Sequence, residues 1–568
     1  MIVHAQKPHR LNLFAWDNSE QAIKLRLGLV ILGFVLGFVT ISGRLIYLAS
    51  GDYVSQKHYA KRTSKFRKDI VDREGNLLAV NLPAASLFAN PERVIDAEGA
   101  VEKLLKIFPD LDKKNILQGL KSDKTFVWVK RDISPKEQQD IYNLGMPGFH
   151  FEREHKRIYT YGNLFSHVIG YVGRDMEGLA GLEKYFDEFL IDEKNISKVS
   201  DNTSALQLSL DLRVQSILNE EVENAVRKFN ANGAAAIVVD PNNGEIIAMV
   251  SKPDFDPHRP GSASTNQLFN MATQATLEVG SGMKGLTISI GLDSGATALS
   301  DAYDLTYMKV GGFKVNDDHP EKGWHSVAEI FLHSSNIGVS QIMLGVGKET
   351  LRKYLKKLGL LDRLQLELPE RGGPLFPPFN RWTDLSLVTM SYGYGISETP
   401  AHFIQAMIPI VNGGIKYPLT LIKRGNTEPL LGERVFSEKT SKDMRKLMRL
   451  VVAQGTGRKA EVAGYYIGGK TGTAFKAVNG KYDKSKRFSS FLGVMPASSP
   501  KYMIYMIIDD PKGIKQTYGF ASGGWTAAPA VGAVFKRMAS IYSMKKVRSD
   551  DPGLLETLNI AYKVRDET

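Results

Sequence analysis

The stretch Gly233–Ser251, GAAAIVVDPNNGEIIAMVS, decides the fold. Two apolar runs, Gly233–Asp240 and Glu245–Ser251, flank Pro241-Asn-Asn-Gly244, whose proline and glycine carry turn chemistry. The pattern predicts two strands joined by a tight turn. Just upstream, Leu206–Leu210 (LQLSL) reads as a strand, and Asp211 suits the N-cap of a helix over Leu212–Phe229. Far downstream come three more strand-like runs, Ile467–Lys476, Phe488–Met495 and Tyr502–Ile508. Hairpin-spaced strands at both ends of a segment, with helices between, predict an α+β fold in which an antiparallel sheet packs on helices.

The chain has 568 residues, too many for one ordinary core, so two or three domains are expected. Its composition, 43% hydrophobic and 24% charged, is that of a globular protein. The sequence contains no cysteine, which excludes disulfides, thiolate metal sites and a cysteine nucleophile. The formal net charge of +12 is scattered along the chain, and no nucleic-acid module accompanies it. It reads as a solvated basic surface.

Leu27–Gly43, LGLVILGFVLGFVTISG, carries no charge, and Leu45–Ala49 extends its apolar character past Arg44. The run is near the ~20 residues that cross a bilayer, and Arg44 can snorkel to the interface. No polar face interrupts it, which argues against a buried core helix. The apolar run is too long for a cleaved signal peptide and no small-x-small site follows, so an uncleaved anchor over 27–48 is expected after a tail of 1–26. Lys7, Arg10, Lys24 and Arg26 precede the span while Arg44, Lys57, Lys61 and Arg62 follow it, so charge leaves its orientation tied. Between the anchor and residue 205 lies a module without a chemical constellation. Lys68–Asn81 (KDIVDREGNLLAVN) predicts strand, turn and strand, and Gly178–Leu190 predicts a glycine-rich bend running into an amphipathic helix.

Three short motifs carry the chemistry. The first is Ser281-Gly-Met-Lys284: on a helix i and i+3 share a face, so the Lys284 amine can serve the Ser281 hydroxyl as base. The second is Ser334-Ser335-Asn336, after a helical pattern over Val327–His333. Ser334 can relay a proton, and Asn336 can bind a substrate amide and hold the Lys284 amine. The third is Lys470-Thr-Gly-Thr473 on a strand led by Ile467-Gly-Gly. Lys470, Thr471 and Thr473 suit a terminal carboxylate, and Gly472 is expected to let an acyl-peptide lie close to the strand. The backbone N–H groups of Ser281 and Thr473 are candidates for an oxyanion hole. The first two motifs are weak alone and the third is moderately specific; all three in order, about 50 and about 130 residues apart, are highly specific.

With these motifs the sequence resembles the class B penicillin-binding proteins, D,D-transpeptidases of peptidoglycan. Val71-Asp-Arg-Glu-Gly75 and Gly178-Leu-Ala-Gly-Leu-Glu183 look like the family's pedestal motifs. Gly393-Tyr-Gly395, Asn412-Gly-Gly414, Gly455-Thr-Gly457, and the stretch from Ile508-Asp-Asp-Pro511 through Ala527-Ala-Pro529 match further landmarks. The resemblance implies a penicillin-binding transpeptidase fold, with a five-stranded antiparallel sheet flanked by helices over 206–542. A single transmembrane helix, an elongated mixed α/β pedestal over 49–205 and a tail of 543–568 complete the expected chain. It implies Ser281 as nucleophile, with Lys284, Ser334, Asn336 and Lys470 as catalytic partners and Thr471, Gly472 and Thr473 binding substrate. Stem pentapeptides, β-lactams, a membrane glycan polymerase and other division proteins are the implied partners, with no cofactor and no metal. The short tail, single span and modest length look like the septal, cell-division type rather than the elongation type. The catalytic domain is then expected on the periplasmic side of the cytoplasmic membrane.

Three positions depart from the family pattern: Val279 and Gly285 stand where proline is common, and Gly282 is unusually small. Rival functions fit less well. A serine β-lactamase needs no pedestal and adds a carboxylate base, a β-lactam-sensing receptor carries several spans and a protease domain, and a scaffold has no need of all five catalytic residues. His319, His325 and His333 lack a metal-binding pattern and read as polar loop residues, as His150 and His155 read as surface residues. Tyr392 and Tyr394 either line the cleft or pack in the core, and Lys545–Arg548 reads as a solvated end.

Overall fold

The computed structural model describes residues 20–60, 66–191, 205–425, 430–478 and 480–547. Most of the expected N-terminal tail, and the C-terminal tail from Arg548 on, lie outside the described residues. The chain divides into two units, Met1–Lys65 and Phe66–Thr568. Among the described residues the first contains one helix, Glu20–Ala60. Its segment Ile23–Tyr47, 25 residues with mean hydropathy 2.2, is long and apolar enough to cross a membrane, and its apolar side chains are exposed.

The second unit holds two five-stranded sheets. In the pedestal, Leu77–Ala89 pairs antiparallel with Ile70–Val71, Val127–Ile133 and Phe149–Tyr159. The turn between the first two strands forms because Asp72 Oδ1 accepts the N–H groups of Glu74 (2.9 Å) and Asn76 (2.8 Å). Its other oxygen accepts Leu212 N–H at 3.1 Å, which ties the pedestal to the first helix of the catalytic layer. Arg67, fully buried, donates to Glu183 and Asp187 and to the Met176 and Glu183 carbonyls, while Arg157 Nε reaches Glu183 Oε1 at 2.7 Å. This network gathers both ends of the pedestal around one carboxylate.

The catalytic sheet runs, in spatial order, Gly468–Val478, Lys481–Met495, Tyr502–Asp509, Gly233–Val239, Ile246–Lys252, with every neighbour antiparallel. The opening hairpin therefore completes a sheet begun by the last three strands, with Met503 opposite Val239 and Asp509 opposite Gly233. Pleating sends alternate side chains to opposite faces. Ala235, Ile237 and Val239 join the larger core, with the helices Lys284–Asp293, Pro400–Val411 and Glu438–Ala453. Ala234, Ala236 and Val238 join a second core under Leu212–Lys228 and Ala527–Ile541. Both faces are covered, which is why these strands read as continuous apolar runs.

Three local expectations are corrected. Leu206–Leu210 supplies only a short strand, Leu206–Gln207, which pairs parallel with Ile70–Val71 in the pedestal sheet; Leu208 bridges to Ile422 instead. Gly178–Leu190 is not one helix but two, Gly181–Tyr185 and Asp187–Leu190. Asp187 turns its carboxylate to Arg67 and to Gly178 N–H (2.7 Å), and the chain kinks at Phe186. The strand expected at Phe488 starts at Lys481, because its polar first half is held by pairing with Lys476–Val478 rather than by burial.

Candidate active site

Ser281 sits in a 3₁₀ turn, Gly280–Met283, that runs straight into the helix Lys284–Asp293. In such a turn residues i and i+3 eclipse, so Ser281 and Lys284 share a side. Gly280 has φ +55°, and a Cβ there would stand 2.2 Å from the Thr473 carbonyl oxygen. Gly393, at φ +87°, would place a Cβ 2.1 Å from the Gly280 carbonyl oxygen. Only glycine permits these contacts. The nucleophile turn, the Lys-Thr-Gly strand and the Gly-Tyr-Gly turn thus meet backbone to backbone, and Gly280 N–H bonds Gly393 O at 3.2 Å.

Ser334 ends the helix Val327–His333 in the left-handed region, φ 61° and ψ 45°. This turns its hydroxyl between two lysines. Lys284 Nζ donates to Ser334 Oγ at 3.1 Å and to the Ser334 carbonyl oxygen, and Lys470 Nζ donates to the same hydroxyl at 2.9 Å. Both lysines are only 1% exposed. Burial brings the Lys284 amine down to about 8, with Asp317 and Asp318 pulling weakly the other way. Lys470 is driven well below the ordinary lysine range, first by burial and then by the neighbouring Lys284.

Asn336 stands beside Ser334, but its side-chain N–H donates to the Asn316 carbonyl at 2.7 Å, while the Lys284 amine turns to Ser334. Thr471 Oγ1 lies 2.8 Å from Thr456 Oγ1, and Thr473 Oγ1 accepts Gly523 N–H at 3.4 Å. Gly472 is also closely packed. A Cβ on it would meet Ser490 Oγ at 2.3 Å and Val279 O at 2.9 Å, so its missing side chain makes room for the protein's own nucleophile segment. The unusual Gly282 and Gly285 have a similar cause: Phe403 Cζ stands 3.1 Å, and Met407 Cε 2.9 Å, from where their Cβ atoms would be.

Asp317 was not singled out in the sequence. It accepts Ser335 Oγ (2.7 Å), Asn336 N–H and Ile337 N–H (3.1 Å), capping the helix Asn336–Val346 and fixing the Ser-Ser-Asn segment. Caps are sought next to a helix start; this one comes from an earlier loop, and only an acid pair, Asp317-Asp318, hinted at it. Tyr394 packs between Tyr392 and Tyr482, and its hydroxyl accepts Phe475 N–H at 3.2 Å, bracing the strand beyond Thr473. His325 and His333 lie near Glu321, and among the described residues no group of three potential ligands could hold a metal. His150 and His155 pack against Phe88 and Phe66.

The sequence of residues 234–535 matches the penicillin binding protein transpeptidase domain, and residues 64–217 match the penicillin-binding protein dimerisation domain. The chain belongs to the penicillin-binding protein transpeptidase family. Among curated members, it is 36% identical over 500 residues to the probable peptidoglycan D,D-transpeptidase FtsI of Caulobacter vibrioides, covering 86% of this chain and 83% of that one. It is 30% identical over 563 residues to the peptidoglycan D,D-transpeptidase FtsI of Escherichia coli K12, covering 93% of each. The fold matches a solved penicillin-binding protein 3 from Mycobacterium tuberculosis in complex with aztreonam, with TM-score 0.67 and 24% identity over 86% of this chain and 98% of that one. The class B resemblance and the five-stranded fold expected of this penicillin-binding protein are both met.

Proposed function

We propose that this protein is a septal peptidoglycan D,D-transpeptidase working through an acyl-enzyme on Ser281 and covalently inhibited by β-lactams. The observation that carries the mechanism is the Ser334 hydroxyl held between two buried lysines, 3.1 Å from Lys284 and 2.9 Å from Lys470. A hydroxyl has two acceptor lone pairs and one proton. With both lone pairs taken by ammonium or amine donors, the Ser334 proton is the one left to give away. That polarity suits a relay to a leaving amine.

Lys284, neutral in part because burial brings it to about 8, takes the Ser281 proton as the hydroxyl attacks the penultimate D-alanine carbonyl of a stem pentapeptide. Backbone N–H groups of Ser281 and Thr473 receive the oxyanion. Lys470, Thr471 and Thr473 receive the terminal carboxylate, and Asn336 Oδ1 receives a substrate amide. Terminal D-alanine leaves with a proton through Ser334, and an amine of a neighbouring stem peptide then displaces Ser281. Gly472, whose bare backbone also leaves room for Val279 and Ser490, lets the acyl-peptide lie close to the strand.

We propose domain bounds of 49–205 for the pedestal and 206–542 for the catalytic layer, after an anchor at 27–48. Such a chemistry puts the catalytic layer outside the cytoplasmic membrane, with a glycan polymerase and other division proteins meeting the span and pedestal. The test is labelling by a fluorescent penicillin followed by mass spectrometry of the modified peptide. Label is expected on Ser281 and lost in Ser281→Ala; label elsewhere, or label surviving that change, rejects the reading. Depletion is expected to give filaments, and rounded cells would reject the septal assignment.

A further inference from the structure

Glu398 lies between the Gly-Tyr-Gly turn and the helix Pro400–Val411, and none of it is exposed. Its backbone pairs in both directions with Leu277, just ahead of the nucleophile turn: Leu277 N–H to Glu398 O at 3.1 Å, Glu398 N–H to Leu277 O at 3.0 Å. Neither carboxyl oxygen has a hydrogen-bond partner among the described residues. The phenol of Tyr505, on the strand Tyr502–Asp509, is equally sealed; burial pushes it up, the Ser490 side chain draws it down, and a charge on Glu398 would push it up further. The Tyr505 ring packs against Phe403 with centroids 4.8 Å apart. Phe403 in turn stands under Gly282, 3.1 Å from the position its Cβ would take.

A carboxylate without donors in a sealed, apolar site is unfavourable enough that the group takes up a proton instead. Burial is the sole cause acting on Glu398 and pushes its carboxyl up to about 8. Tyr505 is near enough to feel a charge on Glu398; His402, on the following helix, is engaged by Thr399 and the Asp362 carbonyl. No lysine or arginine among the described residues compensates it.

We infer that Glu398 is a positioning residue for acylation: carried as a neutral acid, it keeps its backbone pair with Leu277 closed just ahead of the nucleophile turn, and ionising it loosens the turn that aims Ser281. The inference rests on the proposed function, since it concerns the attack by Ser281. The sign follows from the raised carboxyl. Native enzyme keeps this proton between 4.5 and about 8 while the unfolded chain releases it, so the stability Glu398 contributes is full below 4.5 and is lost as pH rises through about 8. Lys284 becomes an active base over the same upper range. Wild-type acylation is therefore expected to rise, peak and fall, with the falling limb belonging to Glu398.

The experiment compares stopped-flow acylation by a fluorescent penicillin in wild type and Glu398→Gln from about pH 6 to about pH 10. The amide is neutral and nearly the same shape, so it is expected to match wild type at the acid end and to lose the falling limb. A difference of roughly fivefold or more at the alkaline end is expected, and Glu398→Ala should slow acylation at every pH. Superimposable profiles for wild type and Glu398→Gln would overturn the inference. Should Glu398→Gln fail to fold, glutamate-isotope-edited infrared spectra of wild type replace it. A protonated glutamate band at neutral pH that fades with the alkaline limb supports the inference, and its absence at neutral pH rejects it. Penicillin that never labels Ser281 defeats the proposed function; unchanged pH profiles with Ser281 labelled defeat this inference alone.

Discussion

Arg67 and Arg157 in the pedestal and Lys284 and Lys470 in the catalytic layer are all sealed from water, yet the arginines face carboxylates and the lysines face a hydroxyl. Glu183 sits between the two guanidinium groups, with Arg67 at 2.8 Å and Arg157 at 2.7 Å. Paired in this way, a buried charge is fixed and holds its surroundings together. The lysines are denied that partner. Asp317, whose charge acts on Lys284, gives its oxygens to Ser335 and to backbone N–H groups at the start of the next helix. The lysine protons are therefore mobile, and mobility is what a base and a relay require.

The largest expected effect breaks the unpaired side of this contrast. Lys284→Met should reduce the acylation rate by about 10²–10⁴-fold, read from the time course of fluorescent-penicillin labelling, while leaving the protein folded. A rate within a few-fold of wild type would mean that the buried amine is structural, like the arginines. The paired side should respond in the opposite way. Glu183→Gln takes the paired carboxylate from buried Arg157 and leaves Arg67 with Asp187 alone, and should lower stability by about 3–5 kcal/mol in urea unfolding, with the acylation rate of the folded fraction unchanged.

A pH experiment sharpens the same contrast. Lys284 lies below its ordinary 10.5 at about 8, so the rising limb of acylation should belong to it, and in Glu398→Gln that rise should run on through about 8 without a fall. Between those values the unfolded chain binds a proton that the native chain does not. Stability from this group is thus full above 10.5 and lost as pH falls through about 8, an increment of roughly 3 kcal/mol. Urea titrations of wild type and Lys284→Met at both ends of that window should differ by this slope.

Smaller effects test how the unpaired site is held. Asp317→Asn removes charge from the long-range cap and should lower stability by about 1–2 kcal/mol and slow acylation about tenfold. Gly285→Ala asks only the flexible end of Met407 to move and should change stability by less than about 1 kcal/mol in the same assay.

Much of this arrangement is legible in the chain. The apolar runs around Pro241–Gly244, the helix over Val327–His333 and the three motifs all reach the structure with nearly the expected bounds. Other parts are not, each for a physical reason. Lys481–Arg487 forms a strand without an apolar pattern because cross-strand hydrogen bonds hold it. Gly282 and Gly285 look like allowances for loop motion until Phe403 and Met407 are seen to fill the space. Glu398 looks like one more surface acid before a helix, and only burial shows it sealed.

The sequence by itself determined the α+β class, the apolar N-terminal span and the identity of the groups that can react, because periodicity and spaced motifs are local properties of the chain. Tertiary structure decided what those groups do to one another. Ser334 is drawn between Lys284 and Lys470 because a left-handed residue ends one helix while a sheet edge brings in the third motif. The amine beside Ser281 is brought down to about 8 by its burial, and no local pattern of residues specifies how deeply a side chain is buried.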